Sequence, residues 1–200
     1  MENPLLALKD SYRVKHRIQR STFIGFAFPV ISEEEVKEHL RSLRREYPDA
    51  THIPYAYVLA DGKSFASDDG EPRHSAGDPM LAVIKGKGVV NVLIAVVRYF
   101  GGVKLGIGGL MRAFSGVAKD LLDHAELEPF IPKKRLLIEV PYEYLGVVLG
   151  LLNRFGAKVV GRENKKAGAL LTAEVGEEGA PALIEGVLNA GKGNILLKQL

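Results

Sequence analysis

Three observations predict an α+β protein built from two domains. Apolar positions switch repeatedly between the two-residue period of strands and the 3.6-residue period of helices along the 200 residues. Pro129 and Pro132 interrupt that rhythm, which then starts afresh. Beyond them the order strand, helix, strand, strand, helix, strand is that of the ferredoxin-like βαββαβ motif. The boundary is expected near Ile131, giving domains 1–131 and 132–200.

In the first domain Tyr12, Val14, His16 and Ile18 alternate with Arg13, Lys15 and Arg17, the pattern of a half-buried strand with one basic face. Thr22 to Val30 reads as a second strand ended by Pro29. Ser32-Glu33-Glu34-Glu35 has capping-box spacing, and Val36, Leu40 and Leu43 follow at helical steps, so a helix should run to about Tyr47. Tyr55–Ala60 and Ser64–Ala66 flank an Asp61-Gly62 turn signal and predict a hairpin. A polar loop spans Ser67 to Gly77. Asp78 and Pro79 supply an N-cap and a first-turn proline for a short helix over Met80–Ile84, stopped by Gly86. Val89–Val97 is apolar except for Asn91 and suits a central strand covered on both faces. Leu110, Ala113, Phe114, Val117, Ala118 and Leu121 then recur on one helical face, fading near His124.

In the second domain Arg135–Val140 reads as a strand. Leu145, Val148, Leu149, Leu152 and Phe155 form a helical stripe, with Gly156 as the C′ residue. Ala157–Gly161 and Ala169–Val175 pair as strands across the Asn164–Gly168 turn. A helix opened by Pro181 and a strand over Ile195–Leu200 complete the motif.

Composition narrows the function classes. The chain is 46% hydrophobic and 26% charged, which is ordinary for a globular protein, and it contains no cysteine. Disulfides, thiolate metal sites and cysteine nucleophiles are thereby excluded. Met1-Glu2-Asn3-Pro4 lacks a basic segment leading into an apolar one, and no apolar run nears the roughly 20 residues that span a bilayer. A soluble, unprocessed, cytoplasmic protein without a membrane partner is expected. The sequence pI is about 9.0. Residues 133–200 hold 10 Lys and Arg against 7 Asp and Glu, leaving 17 of each upstream, so polyanion binding in the first domain would depend on local patches.

The run from Arg98 to Phe114 joins an apolar strand to an amphipathic helix through five glycines, Gly101, Gly102, Gly106, Gly108 and Gly109, and carries the cations Arg98, Lys104 and Arg112. Glycines admit close backbone approach, and helix N-termini favour anions, which suggests a phosphate-sized site. The third glycine of a dinucleotide fingerprint is missing, and no Gly-Lys-Ser/Thr supports a P-loop. The alternative is that these glycines serve tight turning and close packing.

Four strings occur in order: His52-Ile53-Pro54-Tyr55-Ala56-Tyr57, Asp68-Asp69-Gly70-Glu71-Pro72, Ala76-Gly77-Asp78-Pro79-Met80 and Arg98-Tyr99-Phe100-Gly101-Gly102-Val103-Lys104-Leu105-Gly106. With them the chain resembles the YigZ/IMPACT family from about Tyr12 to Ala125, and its second domain resembles the companion domain of bacterial members. The resemblance implies a first domain with an α/β sandwich fold like that shared by a small-subunit ribosomal protein and elongation factor G. It implies a second like the last domain of elongation factor G. It also implies a role linked to translation, since the eukaryotic relative restrains the amino-acid-starvation kinase by binding its activator. The chain departs from the family where Arg73-His74 replaces a common Ser-Gly, and where Val103 and Ile107 stand at positions often held by threonine.

The candidate ligand or nucleic-acid residues are Arg98, Gly101, Gly102, Lys104, Gly106, Gly108, Arg112, Arg13, Lys15 and Arg17. A second group comprises His52, Asp68, Asp69, Glu71, Arg73 and His74. Arg98 follows a strongly apolar strand, so it should pair with a carboxylate of the 68–71 loop or with a ligand phosphate. The acidic string lacks the spacing of a calcium loop, and neither metal nor cofactor is expected. His52, His74 and Ser75 raise acyl-transfer chemistry, without a Gly-x-Ser-x-Gly or His-Glu-x-x-His string to support it. No interleaved aromatic platform accompanies Arg13, Lys15 and Arg17. The leading expectation is a translation-linked regulatory protein that binds RNA, the ribosome or a translation-associated protein. The alternatives are an enzyme acting on a phosphate-bearing small ligand, with Asp69 or Glu71 assisting, and a pure protein-interaction module.

Overall fold

Residues 4–200 are described by a computed structural model. Met1, Glu2 and Asn3, on which the reading of the N-terminus falls, lie outside them. The chain divides into two compact units between Phe130 and Ile131.

In the first unit Leu6–Leu8 (β1) precedes the hairpin Tyr12–Ile18 (β2) and Ser21–Pro29 (β3). Glu33–Glu46 (α1) follows, then Tyr55–Val58 (β4), Ser64–Ser67 (β5), Gly77–Gly86 (α2), Val92–Tyr99 (β6), Gly106–His124 (α3) and Leu127–Pro129 (β7). A five-stranded antiparallel sheet has the order β2-β3-β6-β4-β5, and β1 pairs with β7 in a separate ribbon. The even-numbered side chains of β6, Val92, Ile94 and Val96, pack with Phe23, Met80, Phe114, Val117 and Leu121 of β3, α2 and α3. The odd-numbered Leu93, Ala95 and Val97 pack on the other face with α1 through Val36 and Leu43. Residues 92–97 are fully buried, which is why β6 reads as an unbroken apolar run.

Local signals set most boundaries. Ser32 Oγ accepts the Glu35 N–H at 3.3 Å, and Glu35 returns a bond to the Ile31 N–H at 2.8 Å, one residue before the cap. The short helix expected over Met80–Ile84 is longer and starts at Gly77, and Asp78 is not its cap. Asp68, far back in the loop, accepts from the N–H groups of Ala76 and Gly77, both at 2.9 Å, and so performs the capping. The central strand begins at Val92 rather than Val89, because Asn91 has φ +54 and turns its Oδ1 to the Ala60 N–H at 2.8 Å. The last helix of the unit begins at Gly106, so three of the five glycines lie in its first turn.

The second unit contains Lys133–Pro141 (β8), Tyr142–Arg154 (α4), Lys158–Lys165 (β9), Gly168–Gly176 (β10), Ala180–Gly191 (α5) and Leu196–Gln199 (β11). Its antiparallel sheet has the order β11-β8-β10-β9, the ferredoxin-like arrangement. Leu136, Ile138 and Val140 of β8 and Leu171 and Ala173 of β10 bury against Val148, Leu152, Leu183 and Val187 of the two helices. Gly156 takes φ +64 at the end of α4, the left-handed turn expected of a C′ glycine.

Candidate binding site

Segments far apart in sequence meet where β6 ends. The Thr51 N–H donates to the Arg98 carbonyl at 2.8 Å, and the Arg98 N–H donates to the His52 carbonyl at 2.9 Å. The Phe100 N–H reaches Thr51 Oγ1 at 3.0 Å, and the Gly101 N–H reaches Ser21 Oγ at 3.2 Å. A Cβ at Gly101 would fall 2.0 Å from the Arg20 carbonyl oxygen, so only glycine lets these two backbones touch. Gly70, at φ +90, closes over the His52 ring, 2.7 Å from where its own Cβ would stand.

Arg98 turns to the α3 face, into the shell around Phe23, and is 6% exposed. Its Nη1 donates to both carboxylate oxygens of Glu71, at 2.6 and 2.5 Å, and Glu71 is also 6% exposed. The Phe23 and Phe100 rings stand 5.5 and 5.6 Å from the guanidinium carbon, within cation–π range. Among the two partners weighed for Arg98, a carboxylate of the 68–71 loop is the one it meets, and its Nε remains buried without a hydrogen bond.

The other acidic side chains of the loop also bond to protein groups. Asp68 accepts from the N–H groups of His74, Ala76 and Gly77 at 2.7, 2.9 and 2.9 Å. Burial pushes its carboxyl up, but those N–H groups and the neighbouring His74 outweigh that and hold it below the usual aspartate value. Asp69 accepts from the Ile53 N–H at 2.6 Å and pairs with Arg44. His74 sits at φ +61, in the left-handed region, with its Nδ1 2.5 Å from Asp78 Oδ2. Ser75 Oγ is buried without a hydrogen bond, so neither histidine of the acyl-transfer reading is joined to it. Arg73 is exposed and lacks an ion-pair partner among the described residues.

In the glycine run Gly102 and Gly106 take φ +84 and +70, so backbone conformation demands them. Gly108 takes part in α3 with open space around it except for Arg112 Nη1, 3.6 Å from where a Cβ would be. Lys104 and Arg112 are exposed, and the first turn of α3 contains no acidic residue.

Arg13, Lys15 and Arg17 project from the α1-side face of β2, the edge of the sheet. Phe26, opposite on β3, holds its ring 5.5 Å from the Arg13 guanidinium, so the neighbouring strand brings an aromatic to a face on which β2 itself has none. A two-residue turn, Gln19-Arg20, links β2 to β3 with φ +42 and +69. That turn carries exposed Arg20 to the Gly101 backbone, which places a cation between the β2 row and the glycine run. Sequence reasoning missed Arg20, because a left-handed turn is ordinarily signalled by Asn or Gly. Arg13, Lys15, Arg17, Arg20, Lys104 and Arg112 have no ion-pair partner within 4.0 Å among the described residues.

Comparison with known proteins covers the segments that meet at the end of β6, and the family model begins just after β2. The family model described as the Impact N-terminal domain matches residues 19–122, from the Gln19 turn into the last turn of α3. A Thermus thermophilus protein named "IMPACT family member in pol 5'region" is 47% identical over 135 residues, covering 68% of this chain and 73% of its own length. "IMPACT family member YigZ" of Escherichia coli (strain K12) is 34% identical over 151 residues, 74% of each chain. A crystal structure described as that of a hypothetical protein superposes with a TM-score of 0.74 at 28% identity, covering 98% of this chain and 97% of that one. The matched span holds the Gly101–Arg20 contact, the Arg98–Glu71 pair and the Asp68 cap together, and by that span and those identities the chain belongs to the IMPACT family.

Proposed function

We propose that the protein is a translation-linked regulatory binding protein of the cytoplasm that contacts RNA through a basic row on the first unit. One observation carries this reading: Arg13, Lys15 and Arg17 lie in sequence along one strand face and Arg20 continues them at the turn, all exposed and free of carboxylate partners among the described residues. Cations left unpaired on a sheet edge suit the regular spacing of a phosphate backbone, and they also discourage pairing with another strand. The link to translation comes from the family. A binding role is favoured over catalysis because Asp68, Asp69 and Glu71 are already bonded to protein N–H groups or cations, and Ser75 Oγ is buried without a hydrogen bond to a base.

The test is fluorescence anisotropy with a structured ribosomal RNA fragment across a salt series. The native chain should bind with a steep salt slope, and the Arg13→Ala, Lys15→Ala, Arg17→Ala variant should lose roughly one unit of slope for each phosphate contact removed. Equal binding and equal slope in the two proteins would remove RNA contact from this face.

A further inference from the structure

Seven large apolar side chains are exposed in the described part of the first unit, and four of them, Phe100, Val103, Ile107 and Met111, fall within the glycine run and the start of α3. Ile107 is 59% exposed and Met111 42%. Val103, Ile107 and Met111 follow one another at four-residue steps, and Lys104, Gly108 and Arg112 do the same one position on. Ile107 and Met111 therefore share one helical face, with Arg112 lying along bare Gly108 beside it. Scattered exposed apolar residues are ordinary, whereas a contiguous apolar strip rimmed by charge marks an interaction surface.

We infer that this strip docks an acidic amphipathic segment of a protein partner, its apolar side chains on Ile107 and Met111 and its carboxylates on Lys104 and Arg112. Charge decides the occupant: both cations lack carboxylate partners among the described residues, and no acidic residue lies in the first turn of α3. RNA suits the strip poorly, because a base stacks on an aromatic ring and Phe100 is the single one here. Gly108 fits the same reading. A helical glycine costs about 0.5–1 kcal/mol relative to alanine, and no packing around Gly108 requires it, but its missing side chain lets a partner approach the backbone. The surface is separate from the Arg13, Lys15 and Arg17 row, so each can fail without the other.

The experiment titrates the full chain into a fluorescein-labelled synthetic helical peptide with leucines on one face and glutamates elsewhere. Polyglutamate, and the same peptide with lysine for glutamate, serve as controls. Binding should be selective for the acidic amphipathic peptide, and Ile107→Glu with Met111→Glu should weaken it about tenfold or more. Both positions are exposed, so circular dichroism should show an unchanged fold. The Arg13→Ala, Lys15→Ala, Arg17→Ala variant should bind the peptide normally. Equal binding of polyglutamate, no loss in the Ile107/Met111 variant, displacement of the peptide by RNA at this surface, or a dimer that this variant dissolves would each overturn the inference.

Discussion

Arg98 gives a single guanidinium nitrogen, Nη1, to both carboxylate oxygens of Glu71, with the two side chains 7% and 1% exposed. The pair ties the loop before α2 to the end of β6 and fixes where the glycine run begins. Removing one partner leaves an uncompensated buried charge. Glu71→Ala should therefore lower stability by about 3–5 kcal/mol, while Glu71→Ala with Arg98→Met should recover most of it. Urea unfolding of the two single variants and the double variant measures the coupling; an additive cycle would mean the pair is not a unit.

The Asp68 cap predicts a pH dependence with a defined sign. Its carboxyl is held below the usual value in the folded chain, so its contribution is fully present above about pH 4 and is lost as pH falls through the folded value. Asp68→Asn should be less stable at neutral pH by about 0.5–2 kcal/mol. The gap between variant and native protein should close on acidification, and thermal melts from pH 7 to pH 2 read it directly. A gap that stays constant would show that charge on Asp68 is not what caps α2.

Gln19 and Arg20 hold left-handed backbone, which costs side-chain-bearing residues roughly 1–2 kcal/mol each. Arg20→Gly should raise the unfolding free energy by about 0.5–1 kcal/mol and at the same time weaken RNA binding. Opposite signs in the two assays would identify a strained position retained for its charge.

Two adjacent glycines should respond differently to alanine. Gly101→Ala forces a methyl group onto the Arg20 backbone, which must move, and should cost about 1–3 kcal/mol. Gly102→Ala meets open space and should cost about 1–2 kcal/mol through its φ of +84 alone. Only the first should perturb the amide resonances of Arg20 and Ser21.

Where structure follows local period, the sequence was readable. The alternation of Tyr12–Ile18, the Ser32 cap and the Leu110–Leu121 stripe all appear at their expected places. Contacts between distant segments were not. Leu6–Leu8 is too short to show a period, and Pro129, read as a breaker, instead pairs with Leu6 in a strand. Asp68 caps a helix eight and nine residues away, where a local rule pointed to Asp78. The need of Arg98 for an anionic partner, carboxylate or phosphate, was legible from its apolar strand, but the choice of Glu71 required the loop's path. The basic row was legible on β2, whereas its continuation through Arg20 depended on a turn without its usual residues.

The proposed function rests on contact between the basic row and the translation machinery. Sedimentation of the tagged full chain with purified ribosomes through a sucrose cushion, at low and raised salt, tests it most directly. The native protein should pellet with ribosomes at low salt and be released as salt rises, and the Arg13→Ala, Lys15→Ala, Arg17→Ala variant should remain in the supernatant. A native protein that stays in the supernatant at low salt, or a variant that pellets equally well, would contradict it.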